Sequence, residues 1–231
     1  MNEIISKYPQ IKWIAHRGLP SKILENTNES FLAAAMLPFF GIETDLHLTR
    51  DQKLVLHHDN HLQRFTNQNI VISQTDYSII DKILLNNLYK IPLFKEYLDI
   101  CITYDKYAII ELKASFTLKQ INELLNHIKL SNYLSKTIII SFNKDNLLQT
   151  RKLAPNLELH YLTDKFDASV LAFGVNNHIE LSLHHSVITK DIIDQVHYQS
   201  LKLNAWTVNE LQRAITLAKL GIDYITTDGI L

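Results

Sequence analysis

The 231-residue sequence lacks the features of secreted, membrane-spanning and nucleic-acid-binding proteins. It has one cysteine, Cys101, so no internal disulfide can form, which is compatible with a reducing cytosol. The net charge is −1, so no basic surplus exists to neutralise a nucleic-acid backbone. Residues 1–9 lack the apolar segment of a secretory signal, and the apolar stretches Phe31–Ile42 and Tyr107–Leu112 are shorter than the about 20 residues of a membrane-spanning helix. We therefore expect a soluble, cytoplasmic protein with no nucleic-acid partner and no transmembrane segment.

Glycine is also scarce, with 5 residues, and this bears on the fold class. Short apolar runs alternate with helix-like stretches, which is typical of βαβ units and a parallel sheet. One strand breaks the alternation, because Leu54–His58 follows Gly41–Leu48 after only Thr49–Lys53, too few residues for a parallel crossover. These two strands should form an antiparallel hairpin, which leaves eight strands for a TIM (β/α)8 barrel. The alternative, an open doubly wound sheet, usually needs a glycine-rich first turn that this chain lacks.

The ends of the chain and the segment after the hairpin complete the predicted organisation. No linker or low-complexity block divides residues 1–231, so we expect one domain. A short insertion should follow the hairpin. Only residues 227–231 follow the last predicted strand, Ile222–Thr226, so we expect the eighth barrel helix to be missing or truncated. Met1–Tyr8, an eccentric barrel or a partner chain could cover its place.

Polar side chains follow or occupy the strand ends where barrel active sites lie. The first strand ends at His16-Arg17-Gly18, the second carries Glu43 and Asp45, and the third carries Glu111 and Lys113. Because residues two apart on a strand face the same side, each of these pairs shares a face. Three converging carboxylates, Glu43, Asp45 and Glu111, suit Mg²⁺ or Ca²⁺ better than Zn²⁺, which prefers histidine and cysteine.

The hairpin should bring a second histidine to the first. If the turn centres near Asp51 and Gln52, the numbers of cross-strand partners sum to about 103, so His58 lies opposite Asp45 and near His16. The rival, His57, has the opposite strand parity.

Two histidines can act as the general base and the general acid in the hydrolysis of a phosphodiester at neutral pH. With unperturbed pKa values near 6.5, one can remove a proton from the nucleophile while the other protonates the leaving alkoxide. His16 and His58 are therefore the predicted catalytic pair, and Arg17 and Lys113 are the cations placed to hold the phosphate.

Short motifs run through nearly the whole chain in a fixed order. They are His16–Gly18, Glu25–Thr27, Ser30–Phe31 with Ala34, Gly41–Asp51, Val55–Asp59, Leu62–Arg64, Ile91–Leu93, Glu111–Lys113, Ser141–Phe142, Ala205–Asn209 and Thr226–Gly229. In order and spacing they resemble the glycerophosphodiester phosphodiesterase family.

The resemblance implies a barrel of this type, a divalent cation, and hydrolysis of glycerophosphodiesters to sn-glycerol 3-phosphate and an alcohol. Carried over by position, His16 and His58 are the acid/base pair, and Arg17 and Lys113 contact phosphate. The implied metal ligands are Glu43, Asp45 and Glu111, and Trp206 lines the glycerol side of the pocket. The implied mechanism leaves two routes open: attack by the glycerol hydroxyl through a cyclic phosphate, or direct attack by water.

Other interpretations and departures bear on the function. A sphingomyelinase-type, phospholipase D-like enzyme also builds its site from two histidines and a metal, but the absence of a secretory signal and of a disulfide pair counts against it. A catalytically inactive barrel that acts as a binding module is disfavoured by the intact set of site residues. Leu24 stands where the family usually has proline, and the segment from Asp59 to Ile91 is short and glycine-free, so head-group preference is open. We expect Glu25 and Asn26 either to organise the loop after the first strand or, for Glu25, to approach the metal.

Overall fold

A computed structural model describes residues 2–229 and contains a sheet of nine strands. The strands are β1 (Lys12–Ala15), β2 (Gly41–Leu48), β3 (Leu54–Leu56), β4 (Tyr107–Leu112), β5 (Thr137–Ser141), β6 (Glu158–Thr163), β7 (Glu180–His184), β8 (Leu203–Trp206) and β9 (Tyr224–Thr227). The helices are α1 (Asn2–Lys7), α2 (Asn28–Ala35), α3 (Tyr77–Ile80), α4 (Phe94–Thr103), α5 (Leu118–Leu130), α6 (Lys144–Leu153), α7 (Ala168–Asn177), α8 (Lys190–Tyr198) and α9 (Leu211–Leu220).

Eight of these strands close into a parallel barrel. Hydrogen-bonded neighbours run in the order β1-β9-β8-β7-β6-β5-β4-β2, and β1 also pairs with β2 in parallel, which closes the ring. Helices connect most successive strands, so the predicted TIM barrel is confirmed. The ninth strand, β3, is antiparallel to β2 and forms the predicted hairpin.

Alternation along the strands divides the core into an inner and an outer layer. Ile14 packs inside the barrel with residues of β4, β5, β6 and β9, whereas Trp13 and Ala15 belong to the larger cluster shared with the helices. Successive side chains of a strand point to opposite faces, so β1 buries both faces. This frame fixes which residues of each strand can point into the mouth.

The outer face of β1 is covered by the start of the chain. Ile4 and Ile5 of α1 are buried in the same cluster as Trp13, whose indole Nε1 donates to the Tyr8 carbonyl at 3.3 Å. Among the described residues, β9 is the last helix or strand. The position of α1 agrees with the suggestion that Met1–Tyr8 helps to cover this side, although Met1 itself lies outside the described residues.

The predicted hairpin register is wrong by one residue. β2 pairs Leu46 with Leu56 and Leu48 with Leu54, so the position opposite Asp45 is residue 57 and not residue 58. Thr49 N donates to the Lys53 carbonyl at 3.0 Å, which centres the loop on Asp51 alone. β3 ends at Leu56, and the His57 backbone N–H still donates to the Asp45 carbonyl at 3.0 Å, so backbone pairing to β2 extends to the residue before His58.

An insertion of residues 57–93 follows the hairpin and packs on a small core of its own. The buried members of this small core are Val55 of β3 and, from the insertion, Leu62, Ile72, Ile80, Ile83, Leu85 and Ile91. Besides α3, it contains a single 3₁₀ turn at Ile72–Gln74. This second core places the segment after His58 beside the barrel mouth. In the part of the chain that the structure describes, no helix is long and apolar enough to cross a membrane.

Candidate active site

Three buried carboxylates meet at the carboxyl ends of two neighbouring strands. Glu43 and Asp45 lie on β2, and Glu111 lies on β4 directly beside Asp45 in the parallel register. The side chains of Glu43 and Asp45 are 2% and 0% exposed. One carboxylate oxygen from each of the three residues lies within 4.8 Å of the others. This is the cluster that the sequence predicted for a hard cation.

Two cations contact the cluster, and both were predicted to bind phosphate. Arg17 Nε lies 3.1 Å from an Asp45 oxygen, and the Arg17 backbone N–H donates to Glu43 Oε2 at 2.9 Å. Lys113 Nζ lies 3.1 Å from Glu111 Oε1 and 3.5 Å from Asp45 Oδ1. Two positive side chains therefore face three carboxylates, which leaves a negative excess in a buried place.

The electrostatics of the carboxylates reflect this excess. Burial, followed by repulsion from Asp45, raises the pKa of Glu111 to about 7. The pKa of Glu43 is likewise raised by burial, then by Asp45 and Glu111. Burial alone would also raise the pKa of Asp45, but Arg17 and then Lys113 hold it well below its ordinary value. A bound cation would relieve the repulsion that raises the first two pKa values.

Asn26 fixes the orientation of Asp45. It is fully buried with a left-handed backbone, φ 53°, and its Nδ2 donates to Asp45 Oδ2 at 2.8 Å. Its Oδ1 accepts from Thr44 Oγ1 at 2.8 Å and from the Asp45 backbone N–H at 3.2 Å. The amide thus bonds both the side chain and the main chain of β2. The sequence assigned Asn26 a role in the loop only.

His16 follows β1 and is held by a carboxylate from the other end of the chain. Its Nδ1 lies 2.6 Å from Asp228 Oδ1, and Asn209 Nδ2 donates to Asp228 Oδ2 at 2.6 Å. Because the carboxylate accepts, Nδ1 carries the proton and Nε2, 4.0 Å from Glu43 Oε2, is left for exchange. Asp228 was missed as a site residue, although its motif directly follows the last barrel strand.

His58 has an equivalent carboxylate, and a chain of charges extends from it. His58 Nδ1 lies 2.7 Å from Asp59 Oδ1, and Arg64 Nε donates to Asp59 Oδ2 at 2.8 Å. The same Arg64 guanidinium donates to Glu25, which also accepts from Arg17 at 3.0 Å. Burial lowers the pKa of His58. Glu25 therefore joins the two histidine-bearing segments, and within residues 2–229 it reaches the carboxylate cluster only through Arg17.

His57 takes a different position from His58. It is 1% exposed and packs edge-to-face against Phe65 with the ring centroids 5.9 Å apart. Burial lowers its pKa to about 4, so its imidazole is neutral at pH 7. His57 does not line the cavity at the barrel mouth, whereas His58 does.

A cavity of about 150 Å³ brings the predicted residues together. Its walls include His16, Arg17, Glu43, His58, Glu111, Lys113 and Trp206, while Asp45 lies beneath them. Apolar side chains also line the cavity, namely Ile140, Phe142, Leu162 and Trp206. The Trp206 indole donates to the Ser182 carbonyl at 2.9 Å and meets Phe142 edge-on, with centroids 5.4 Å apart. The cavity thus combines charged side chains with apolar and aromatic ones, as small-molecule sites commonly do.

Comparisons with known proteins agree with this geometry. Residues 16–231 match the model of the glycerophosphoryl diester phosphodiesterase family. A glycerophosphodiester phosphodiesterase of Caldanaerobacter subterraneus is 30% identical over 228 residues, covering 93% of each chain. A glycerophosphodiester phosphodiesterase structure from Parabacteroides distasonis superposes with a TM-score of 0.82 at 27% identity, covering 95% of this chain and 93% of that one.

A third relative carries a ligand. The phosphodiesterase of Oleispira antarctica, solved in complex with the product sn-glycerol-3-phosphate, has a TM-score of 0.83 at 22% identity and covers 96% of this chain and 94% of that one. At that identity the likeness concerns the fold. The family match over nearly the whole chain confirms the predicted enzyme class, a phosphoric diester hydrolase. The chain belongs to the glycerophosphoryl diester phosphodiesterase family.

Proposed function

We propose that this protein hydrolyses glycerophosphodiesters to sn-glycerol 3-phosphate and an alcohol, with His16 and His58 as the acid/base pair. One observation carries the proposal: two histidines, each with a carboxylate on Nδ1, line one cavity with a three-carboxylate cluster. The product bound to the Oleispira antarctica relative supports the same substrate class.

The carboxylate cluster fits a divalent cation, and we propose Mg²⁺ or Ca²⁺ held by Glu43, Asp45 and Glu111. Within residues 2–229, the buried Glu43 Oε1 has no hydrogen-bond partner, and Asp45 Oδ1 has only the Lys113 ammonium at 3.5 Å. Buried carboxylate oxygens without partners are costly unless a cation takes them. When bound, such a cation offsets charge on phosphoryl oxygens and lowers the pKa of a coordinated hydroxyl.

The histidines supply the proton transfers. With Nδ1 bonded to a carboxylate, each imidazole has one orientation and one free nitrogen, which is what an acid/base group needs. One removes the proton of the attacking hydroxyl and the other protonates the leaving alkoxide. The attacking hydroxyl belongs either to the substrate glycerol, through a cyclic phosphate, or to water. Trapping a cyclic glycerophosphate in a rapid quench would identify the first route.

The remaining predicted residues bind the substrate in this proposal. Arg17 and Lys113 lie at the cluster and in the cavity wall, where their charges can reach phosphoryl oxygens as well as the carboxylates. Trp206 gives the glycerol a flat apolar wall, fixed by its hydrogen bond to Ser182. A cytoplasmic location belongs to the same proposal, and the single cysteine, free and buried in α4, is compatible with it.

The test is release of glycerol 3-phosphate from glycerophosphoethanolamine by the purified protein. EDTA should abolish the release, and added Mg²⁺ or Ca²⁺ should restore it. His16→Ala and His58→Ala should each lower kcat by about 10²–10⁴-fold. His57→Ala is the matched control, since its ring faces Phe65 and not the cavity.

Three results would contradict the proposal. Activity that EDTA leaves unchanged would show that the reaction needs no divalent cation. Full activity in His58→Ala together with loss of activity in His57→Ala would show that His57, and not His58, is the catalytic residue. A folded wild-type protein that binds but never cleaves the substrate would make the barrel a binding module.

A further inference from the structure

A second cavity, of about 390 Å³, adjoins the candidate active site on the far side of Lys113. Lys113 lines both cavities, and His47, in the wall of the second, lies with Nε2 3.1 Å from the carbonyl oxygen of His58. We name it the Asn60–Ser73 cavity, after two of its lining residues. Its volume falls within the roughly 300–1,000 Å³ of small-molecule sites.

The location of this cavity matches the second arm of a phosphodiester. In the proposed function, the phosphate at the carboxylate cluster carries two ester arms, and the glycerol arm lies in the smaller first cavity, which Trp206 lines. The other arm must extend past the cations that hold the phosphate. The Asn60–Ser73 cavity shares the lining residue Lys113 with the first cavity, which places it beside the proposed phosphate site.

The lining of the cavity is polar and has hydrogen-bonding groups to spare. Its polar members include Gln52, Asn60, Ser73, Ser115 and Gln120. In the described part of the chain, the side chains of Asn60 and Ser73 make no hydrogen bond, and both residues are exposed. Gln120 Nε2 donates to Gln52 Oε1 at 2.7 Å, which ties the hairpin turn to α5 and closes one edge. The free amide and hydroxyl can each donate and accept.

The same lining offers few groups that could bind a cationic head group. Among the described residues, no carboxylate lines the cavity, and Lys113 adds a positive charge. Apart from the His47 imidazole, the cavity has one aromatic lining residue, Phe116. Phe116 is only 3% exposed, so aromatic faces do not surround the cavity. A quaternary ammonium is recognised by carboxylates or by aromatic faces, whereas hydroxyls are recognised by neutral amide and hydroxyl groups.

We propose that the Asn60–Ser73 cavity binds the leaving alcohol and favours polyol head groups, such as glycerol or inositol, over choline. The inference rests on the proposed function, since it names the alcohol half of the same substrate. Asn60 and Ser73 are specificity-determining residues that contact the polyol hydroxyls, and they take no part in the chemistry at phosphorus.

The experiment compares kcat/KM for glycerophosphoinositol, glycerophosphoglycerol and glycerophosphocholine, with glycerol 3-phosphate measured for each. The two polyol substrates should be favoured about tenfold, the gain from one or two net hydrogen bonds in an open site. The double variant Asn60→Ala with Ser73→Ala should lose that preference while its kcat/KM for glycerophosphocholine stays within about twofold. Asn69→Ala with Ser78→Ala is the matched control, because both are exposed on the same insertion outside the cavity.

The outcomes separate the two proposals. If glycerophosphocholine is cleaved as well as the polyol substrates by wild-type protein, the inference is overturned and the proposed function stands. If none of the three substrates releases glycerol 3-phosphate, the proposed function fails and the inference with it. The wild-type comparison does not depend on the folding of any variant. A thermal melt of each variant shows whether it is folded, and only folded variants are compared.

Discussion

Arg64 is expected to position His58 from outside the cavity. Its guanidinium donates to Asp59, which holds His58 Nδ1, and to Glu25, which holds Arg17. Replacing Arg64 with glutamine removes the charge and the fork that joins the two carboxylates. Asp59 then keeps only the imidazole and water as partners, so His58 loses part of its orientation.

The size of the effect follows from the exposure of the contacts. A hydrogen bond to a charged group contributes about 1.5–3 kcal/mol when buried, and an exposed ion pair about 0–1 kcal/mol. Arg64 is 39% exposed and Asp59 23%, so we take about 1–2 kcal/mol for the contact between them. If the whole of this contact energy stabilises the transition state, its loss should lower kcat about 5–30-fold, since 1.36 kcal/mol corresponds to a factor of ten in rate. KM should change less, because Arg64 does not line the substrate cavity.

Steady-state release of glycerol 3-phosphate by Arg64→Gln is the assay, and Arg50→Gln is its matched control. Arg50 also forms a two-bond ion pair, but with the single carboxylate of Asp76, and it is 61% exposed and does not line the candidate active-site cavity. Arg64→Lys keeps the charge and should recover part of the loss. In a double-mutant cycle, Arg64→Gln should add little to Asp59→Asn, because both act through one contact. Equal kcat in Arg64→Gln and Arg50→Gln, with both proteins folded, would show that Arg64 does not position His58.

Three further changes have defined outcomes. Asp228→Asn, which removes the charge that orients His16, should lower kcat about 10²–10⁴-fold at unchanged melting temperature; a loss below threefold would contradict this. Gly18→Ala should lower the free energy of unfolding in urea by about 2–5 kcal/mol, because φ is +88° and the new Cβ would lie 2.4 Å from Ser30 Oγ; an unchanged midpoint would contradict it. The pKa of Glu158 is lowered, against the effect of burial, by imidazole, phenol and ammonium partners, so its stabilisation is present above the unfolded pKa of about 4.3 and is lost as pH falls. Glu158→Gln should therefore unfold about 1–3 kcal/mol more easily at pH 7, and the deficit should shrink below about pH 4; a deficit independent of pH would contradict it.

The barrel was predictable because local patterns set it. Alternating apolar runs and helical stretches fixed eight parallel strands, and the short Thr49–Lys53 connection required an antiparallel return. The register of that return was not predictable, because several short-range hydrogen bonds of Thr49 centre the turn on Asp51, including those with the Lys53 backbone and the Asp51 carboxylate. The partner strand, Leu54–Leu56, is apolar at every position, so its sequence has no alternation that would fix the register to within one residue.

The site was predictable where residues sit at strand ends, and not where distant segments complete it. Glu43, Asp45 and Glu111 were assigned to one place by strand parity, and the structure brings them together. Asp228 contacts His16 from 212 positions away, and no periodicity encodes such a pairing. Arg64 lies in an insertion whose path depends on a small core of its own, so its contact with Asp59 could not be read from spacing.

The position of His58 therefore depends on the insertion as well as on the hairpin strand β2. β3 ends at Leu56, and His58 is held by Asp59, by Arg64 and by the contact between its carbonyl and His47. The same insertion supplies Asn60 and Ser73 to the second cavity. One segment thus sets both an acid/base group and the proposed alcohol site, so changes in the small core of the insertion should alter kcat and alcohol preference together. Changes in the glycerol wall around Trp206 should leave the alcohol preference as it is, because that residue lines the first cavity alone.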